Sequence, residues 1–178
     1  MSAEIIVASD THGRDDLLTE LERAYPRADL YLHCGDLESS PSRYPRWTFV
    51  RGNNDYYADS AQMPDMRVIS IAGHRILMCH SHTFGYYRSR MKAMVEAAKR
   101  NRCDILLYGH THVGDLHKED GVLVLNPGSL RLPRDGMSPS YARIVIDDDG
   151  EVHAHIYHEE EWPFQDPEAG KHHPGWFW

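Results

Sequence analysis

Five times along this chain a short apolar run breaks into a cluster of Gly, Asp, Asn or His. The clusters are Asp10-Thr-His12-Gly, Gly35-Asp36, Gly52-Asn53-Asn54-Asp55, His80-Ser-His82 and Gly109-His110-Thr-His112. Apolar, β-branched runs of four to eight residues closed by turn residues read as buried strands. In open α/β folds, ligands collect outside the carboxyl ends of the strands. Five strand ends carrying these side chains therefore point to one shared site. Asp10 and His12, like His110 and His112, lie two residues apart, a spacing that places both side chains on one face of extended chain. Gly35, Gly52 and Gly109 permit tight turns and close backbone approach. Imidazole nitrogens beside carboxylate and amide oxygens suit Mn, Fe, Zn or Ni, and the lack of Cys in the clusters argues against a structural zinc site.

The rest of the chain supports an α/β fold. Strands are expected at 5–8, 30–33, 47–50, 67–71, 75–79, 104–108, 122–125, 141–146 and 152–157. Leu17, Leu18, Leu21 and Ala24 predict a helix from Asp15 to Tyr25, stopped by Pro26. Met91, Met94, Val95 and Ala98 mark one face of a second helix from Tyr87 to Arg100. The stretch 37–46 reads as a loop or short helix. Strand and helix alternate in the first half, and hairpins dominate the second. The pattern predicts a four-layer α/β/β/α sandwich of two packed mixed sheets with flanking helices. One domain is expected over residues 1–158. Residues 159–178, with Trp162, Phe164, Trp176, Phe177 and Trp178, are expected to form a C-terminal acidic and aromatic arm that lies on the domain or is partly disordered, with self-association as a homo-oligomer the alternative.

Composition narrows the function. Nineteen basic residues against 27 acidic give a net charge of -8, which argues against coating a nucleic acid polymer. No apolar run reaches the ~20 residues of a membrane span, and the N-terminus lacks the basic start of a signal peptide. Cys34, Cys79 and Cys103 match no metal-finger or redox spacing and read as free thiols, which predicts a cytoplasmic, reducing location.

The five clusters, in their order, resemble the calcineurin-like metallophosphoesterase superfamily. Asn126-Pro-Gly-Ser129 followed by Arg134, in a short chain, resembles its small YfcE-type phosphodiesterase branch. The resemblance spans roughly residues 3–158 and implies two divalent metal ions, manganese foremost, with Fe, Zn or Ni as alternatives. Asp10, His12 and His112 would hold one ion, and Asn53, His80 and His110 the other. Asp36 would bridge them; a shared carboxylate lets two cations sit ~3.5–4 Å apart. Hydroxide bridging the metals would then attack the phosphorus of a small phosphodiester or nucleotide.

The resemblance also exposes a gap. The superfamily's phosphatases often place His after the Gly-Asn asparagine, and this chain has Asn54, an amide that cannot act as an acid at pH 7. His82 is the nearest candidate in sequence for the substrate side. Asp55 is expected to orient a ligand or loop, Asn126–Ser129 to support the site, and Arg134 to contact phosphate or solvent. His33 is expected beside the site. His74 is expected in a hairpin turn, and His117, His153, His155, His158, His172 and His173 have no partner motif and are expected at the surface. The alternative function is a protein-assembly scaffold of the same fold, as in a retromer subunit.

Overall fold

The computed structural model describes residues 1–57, 59–86 and 88–166. Its elements run β1 (Ala3–Ala8), α1 (Asp16–Ala24), β2 (Leu30–His33), β3 (Trp47–Phe49), β4 (Met66–Ile71), β5 (His74–Cys79), α2 (Arg88–Arg100), β6 (Ile105–Tyr108), β7 (Gly114–Glu119), β8 (Val122–Pro127), β9 (Ser140–Ile146) and β10 (Val152–His158). They build two five-stranded sheets, β10-β9-β1-β2-β3 and β4-β5-β6-β8-β7. β1, β2 and β3 are parallel in the first, and β5, β6 and β8 in the second, with antiparallel strands at the flanks.

Side-chain alternation along the strands sets the layers. Ile5 and Val7 of β1 face Met78 of β5 and Leu107 of β6 in the core between the sheets. Ile6 and Ala8 point the other way, onto Leu17, Leu18 and Leu21 of α1. Leu77 and Cys79 of β5 and Leu106 and Tyr108 of β6 likewise meet Met94, Val95 and Ala98 of α2. The central strands of both sheets are thus covered on both faces, which is why they read as unbroken apolar runs. The four layers are those expected from the sequence.

One strand escaped the sequence reading. β7, Gly-Asp-Leu-His-Lys-Glu, is a polar edge strand, and charge on an edge is how sheets avoid further pairing. Its turn carries the signal that was there to be read. Asp120 and Gly121 both take positive φ, 50° and 83°, as a two-residue type I′ hairpin requires.

The chain beyond β10 packs on the domain as far as it is described. Trp162 and Phe164 join Tyr141 and Tyr157 in the cluster under α1, and the Trp162 indole N–H donates to the Tyr157 carbonyl at 3.0 Å. Asp166 accepts from Arg14 at 2.7 Å. Trp176, Phe177, Trp178, His172 and His173 lie outside the described residues.

Candidate metal centre

The loops after β1, β2, β3, β5 and β6 bring their polar clusters to one end of the sandwich. Asp10, His12, Asp36 and His112 come together with one ligand atom from each within 4.8 Å of all the others. His112 Nε2 lies 3.1 Å from Asp10 Oδ1 and 3.0 Å from His12 Nε2. His80 Nε2 is 3.4 Å from Asp36 Oδ2 and 3.1 Å from Asn53 Oδ1. The His110 ring centroid is 5.2 Å from that of His80. Asp36 Oδ2 thus lies near both His80 and His12, whose Nε2 is 3.8 Å away, and His80 Nε2 is also 3.9 Å from Asp10 Oδ1.

The expected mechanism of convergence needs correction. Asp10, His12, His110 and His112 do not meet because extended chain alternates. All four take left-handed backbone, with φ of 53°, 45°, 76° and 60°, as do Asp36 and Ser81. Non-glycine residues adopt this region at a cost of order 1–2 kcal/mol each. The surroundings hold them there. Asp10 N–H donates to Gly35 O, His12 N–H to Asp36 O, and the Ser129 hydroxyl to Asp10 O. Asp55 accepts from the N–H groups of Gly52, Asp36 and Glu38, so it orients loop backbone. Glycine is needed at 52 and 109 for space: an added Cβ would lie 2.1 Å from Asp36 Oδ1 and 2.1 Å from Ser9 Oγ respectively.

Ligand histidines need one nitrogen oriented by a partner so that the other is free. His80 Nδ1–H donates to the Cys34 carbonyl and His112 Nδ1–H to the Leu132 carbonyl, each at 2.7 Å. His12 Nδ1 meets the Glu38 carboxylate at 2.7 Å, a partner the sequence reading missed. Carbonyl and carboxylate oxygens only accept, so each of these Nδ1 atoms carries a proton, and the Nε2 atoms of His12 and His112 meet at 3.0 Å. Asp10 uses Oδ2 to accept from Ser9 and the His110 N–H, while its buried Oδ1 has no hydrogen-bond partner among the described residues. Two imidazole nitrogens and a buried carboxylate oxygen this close offer a cation three donor atoms at one point. The donor set fits divalent metals.

The charges agree. Burial alone would raise the pKa of Asp36, but the hydrogen bond and charge of His80 and two bonds from Asn54 hold it far below the usual carboxylate range. Burial would lower His80, but the carboxylates of Asp10 and Asp36 lift it to about 9. His110 is pushed down to about 4 by burial, with the cations of His80 and Arg90 adding to the effect. His82 is also lowered, first by burial and then by His80.

The remaining sequence candidates separate. The Asn54 backbone and amide nitrogens donate to the two oxygens of Asp36 at 2.8 and 2.7 Å. His82 lies beside the site, 5.4 Å from His80 between ring centroids, with its Nδ1 buried and unpartnered among the described residues. Buried His33 joins Thr11 to the Gly35 N–H behind the site. Asn126 supports the loop after β6 through Gly109 O and Thr111. Arg134 donates its backbone N–H to His112 O while its side chain is exposed. Arg131, passed over in the sequence, instead lays its guanidinium on the His12 carbonyl. Among the outlying histidines, half-buried His117 pairs with Asp115 and Glu119, and His74 ties Asp104 to Gly150 O.

Comparison with known proteins places this geometry. Residues 3–149 match the calcineurin-like phosphoesterase superfamily domain. The chain belongs to that superfamily. The probable metallophosphoesterase YsnB of Bacillus subtilis is 31% identical over 149 residues, 82% of this chain and 85% of that protein. The phosphodiesterase YfcE of Escherichia coli is 30% identical over 106 residues, 56% of this chain and 52% of that protein. A Streptococcus pneumoniae structure described as a predicted phosphoesterase superposes with a TM-score of 0.76 at 30% identity, covering 88% of this chain and 98% of that one. Zinc-complexed Vps29 of Entamoeba histolytica shares the fold, with a TM-score of 0.66 at 23% identity over 86% of this chain and 98% of that one. The superfamily assignment agrees with the metal-compatible donor set derived above.

Proposed function

We propose that this chain is a dinuclear-metal phosphodiesterase that hydrolyses a small phosphodiester or nucleotide in the cytoplasm. The observation that carries this reading is the convergence of the His12 and His112 Nε2 atoms on the unpartnered Asp10 Oδ1, with Asp36 near both His12 and the His80–Asn53 pair. Asp10, His12 and His112 would hold one divalent cation, and Asn53, His80 and His110 the other, with Asp36 shared. Such a pair supplies a nucleophile from water near neutral pH and neutralises charge developing on phosphoryl oxygens. Manganese is the proposed native metal.

The chain's own groups set what substrate the site serves. Asn54 spends its amide on Asp36, holding the shared carboxylate in place. Burial and the neighbouring His80 hold the pKa of His82 below its ordinary value, which disfavours its acidic form. His82 therefore offers a hydrogen bond to a substrate oxygen and little acid. Without a strong proton donor, departure of a poor leaving group is slow, which favours esters whose leaving group is stable as an anion. The charge of -8 disfavours polymeric nucleic acid. Reduced, buried Cys34, Cys79 and Cys103 agree with a cytoplasmic setting, and no described helix is long and apolar enough to cross a membrane.

The fold shared with Vps29 supports a second reading, a protein-assembly scaffold with little catalysis. One assay separates the two. Chelator-treated protein is given Mn, Ni, Zn, Fe or Mg and tested on bis-p-nitrophenyl phosphate and p-nitrophenyl phosphate. The diester should be turned over faster with at least one metal. Asp36→Ala should lose more than the roughly 10–100-fold that loss of a ligand's supporting partner costs. No turnover with any metal would leave the scaffold reading; a strong monoester preference would refute the diesterase.

A further inference from the structure

Glu38 occupies an unusual position. Its backbone is left-handed, φ 57°, a conformation glycine would adopt at lower cost. Its N–H is pinned by Asp55 Oδ1 at 3.0 Å, and its carboxylate reaches back to His12 Nδ1 at 2.7 Å. His80 and His112 direct their Nδ1–H groups to neutral backbone carbonyls instead. An ionised acceptor forms the stronger bond and makes the opposite ring nitrogen a better electron donor.

The charges of the two halves differ accordingly. Beside the shared Asp36, one half has Asp10 with His12 and His112, and Glu38 behind His12. The other has neutral Asn53 with His80 and His110. Cation affinity rises with the negative charge of the site and with the basicity of its ligands.

Resting on the metal reading above, we propose that Glu38 is a positioning residue that fixes His12 as a ligand and makes the Asp10–His12–His112 half the tighter of two unequal metal positions. Among the described residues the Glu38 side chain bonds His12 Nδ1, so its loss is expected to act first on the position that His12 serves.

Calorimetric titration of Mn into the metal-free full chain tests this, with Co in place of Mn for visible absorption. The wild type should bind two ions in two events of different affinity. Glu38→Ala should weaken the tighter event by about 10–100-fold, the range for losing a ligand's supporting partner. Glu38→Gln, which keeps an acceptor on Nδ1 and removes the charge, should fall between the two. The weaker event should stay unchanged, and the cobalt spectrum of the first ion should shift. Circular dichroism checks that both variants are folded. Wild-type affinities in Glu38→Ala, or equal weakening of both events, would overturn the proposal while leaving the metal site intact. A wild type that binds no metal would refute the metal reading and this inference with it.

Discussion

His80 is buried to 1% exposure, yet Asp10 and Asp36 raise its pKa to about 9. In the metal-free chain at pH 7 it is therefore an imidazolium, donating one N–H to Cys34 O and turning the other toward Asp36 and Asn53. The proton stands where a cation would. Because this pKa lies above the unfolded value of 6.5, its stabilising contribution is complete below pH 6.5 and is lost as pH rises through 9. A metal must displace that proton to use Nε2. Metal uptake at pH 7 should release close to one proton from His80, fading above pH 9. Calorimetry in buffers of different ionisation heat reads this directly, and uptake without proton release at pH 7 would contradict the assignment. The residue types were readable in the sequence. The partners were not, because Cys34 O, Leu132 O and Glu38 are brought to the histidines by chain segments 20 to 46 residues away.

At the scale of elements, α1 joins the loop bearing His12 to the first sheet. Leu17, Leu18 and Leu21 are fully buried, at the spacing of one helical face. Leu18→Ala should cost about 2–5 kcal/mol through lost transfer energy and the cavity left behind. That corresponds to roughly 2–4 °C in Tm per kcal/mol for a chain of this size. Glu20→Ala, which breaks only the exposed pair with Arg23, should change stability by less than about 0.5 kcal/mol. Equal melting temperatures for the two variants would refute the ranking. The helices and apolar strands were legible because burial imposes period and hydrophobicity on them. β7 was not, because an edge strand is kept polar to stay unpaired.

At the scale of the whole molecule, residues 159–166 act as a strap across the α1 face. Trp162 is 8% exposed, its ring 6.1 Å from that of Tyr141, and Asp166 grips Arg14 two residues beyond His12. Removing residues 159–178 should uncover Tyr141 and Tyr157 and leave Arg14 without the Asp166 bond. Trp162→Ala alone should cost about 3–5 kcal/mol, and truncation at least as much. Thermal melts of both variants read the effect; a truncated chain that melts with the full one would show the strap to be dispensable. The sequence showed aromatics without a period here, and a strap has none, because each side chain answers to the surface it lies on.

The sequence by itself determined the layers and the chemistry. Apolar runs fix which segments are buried, and Asp, Asn and His at their ends fix the donor atoms available. Tertiary structure alone decided how those donors meet. Left-handed backbone at Asp10, His12, Asp36, His110 and His112 is unfavourable locally and leaves no periodic trace. It persists because hydrogen bonds from distant loops, each silent in the linear order, hold every turn in place.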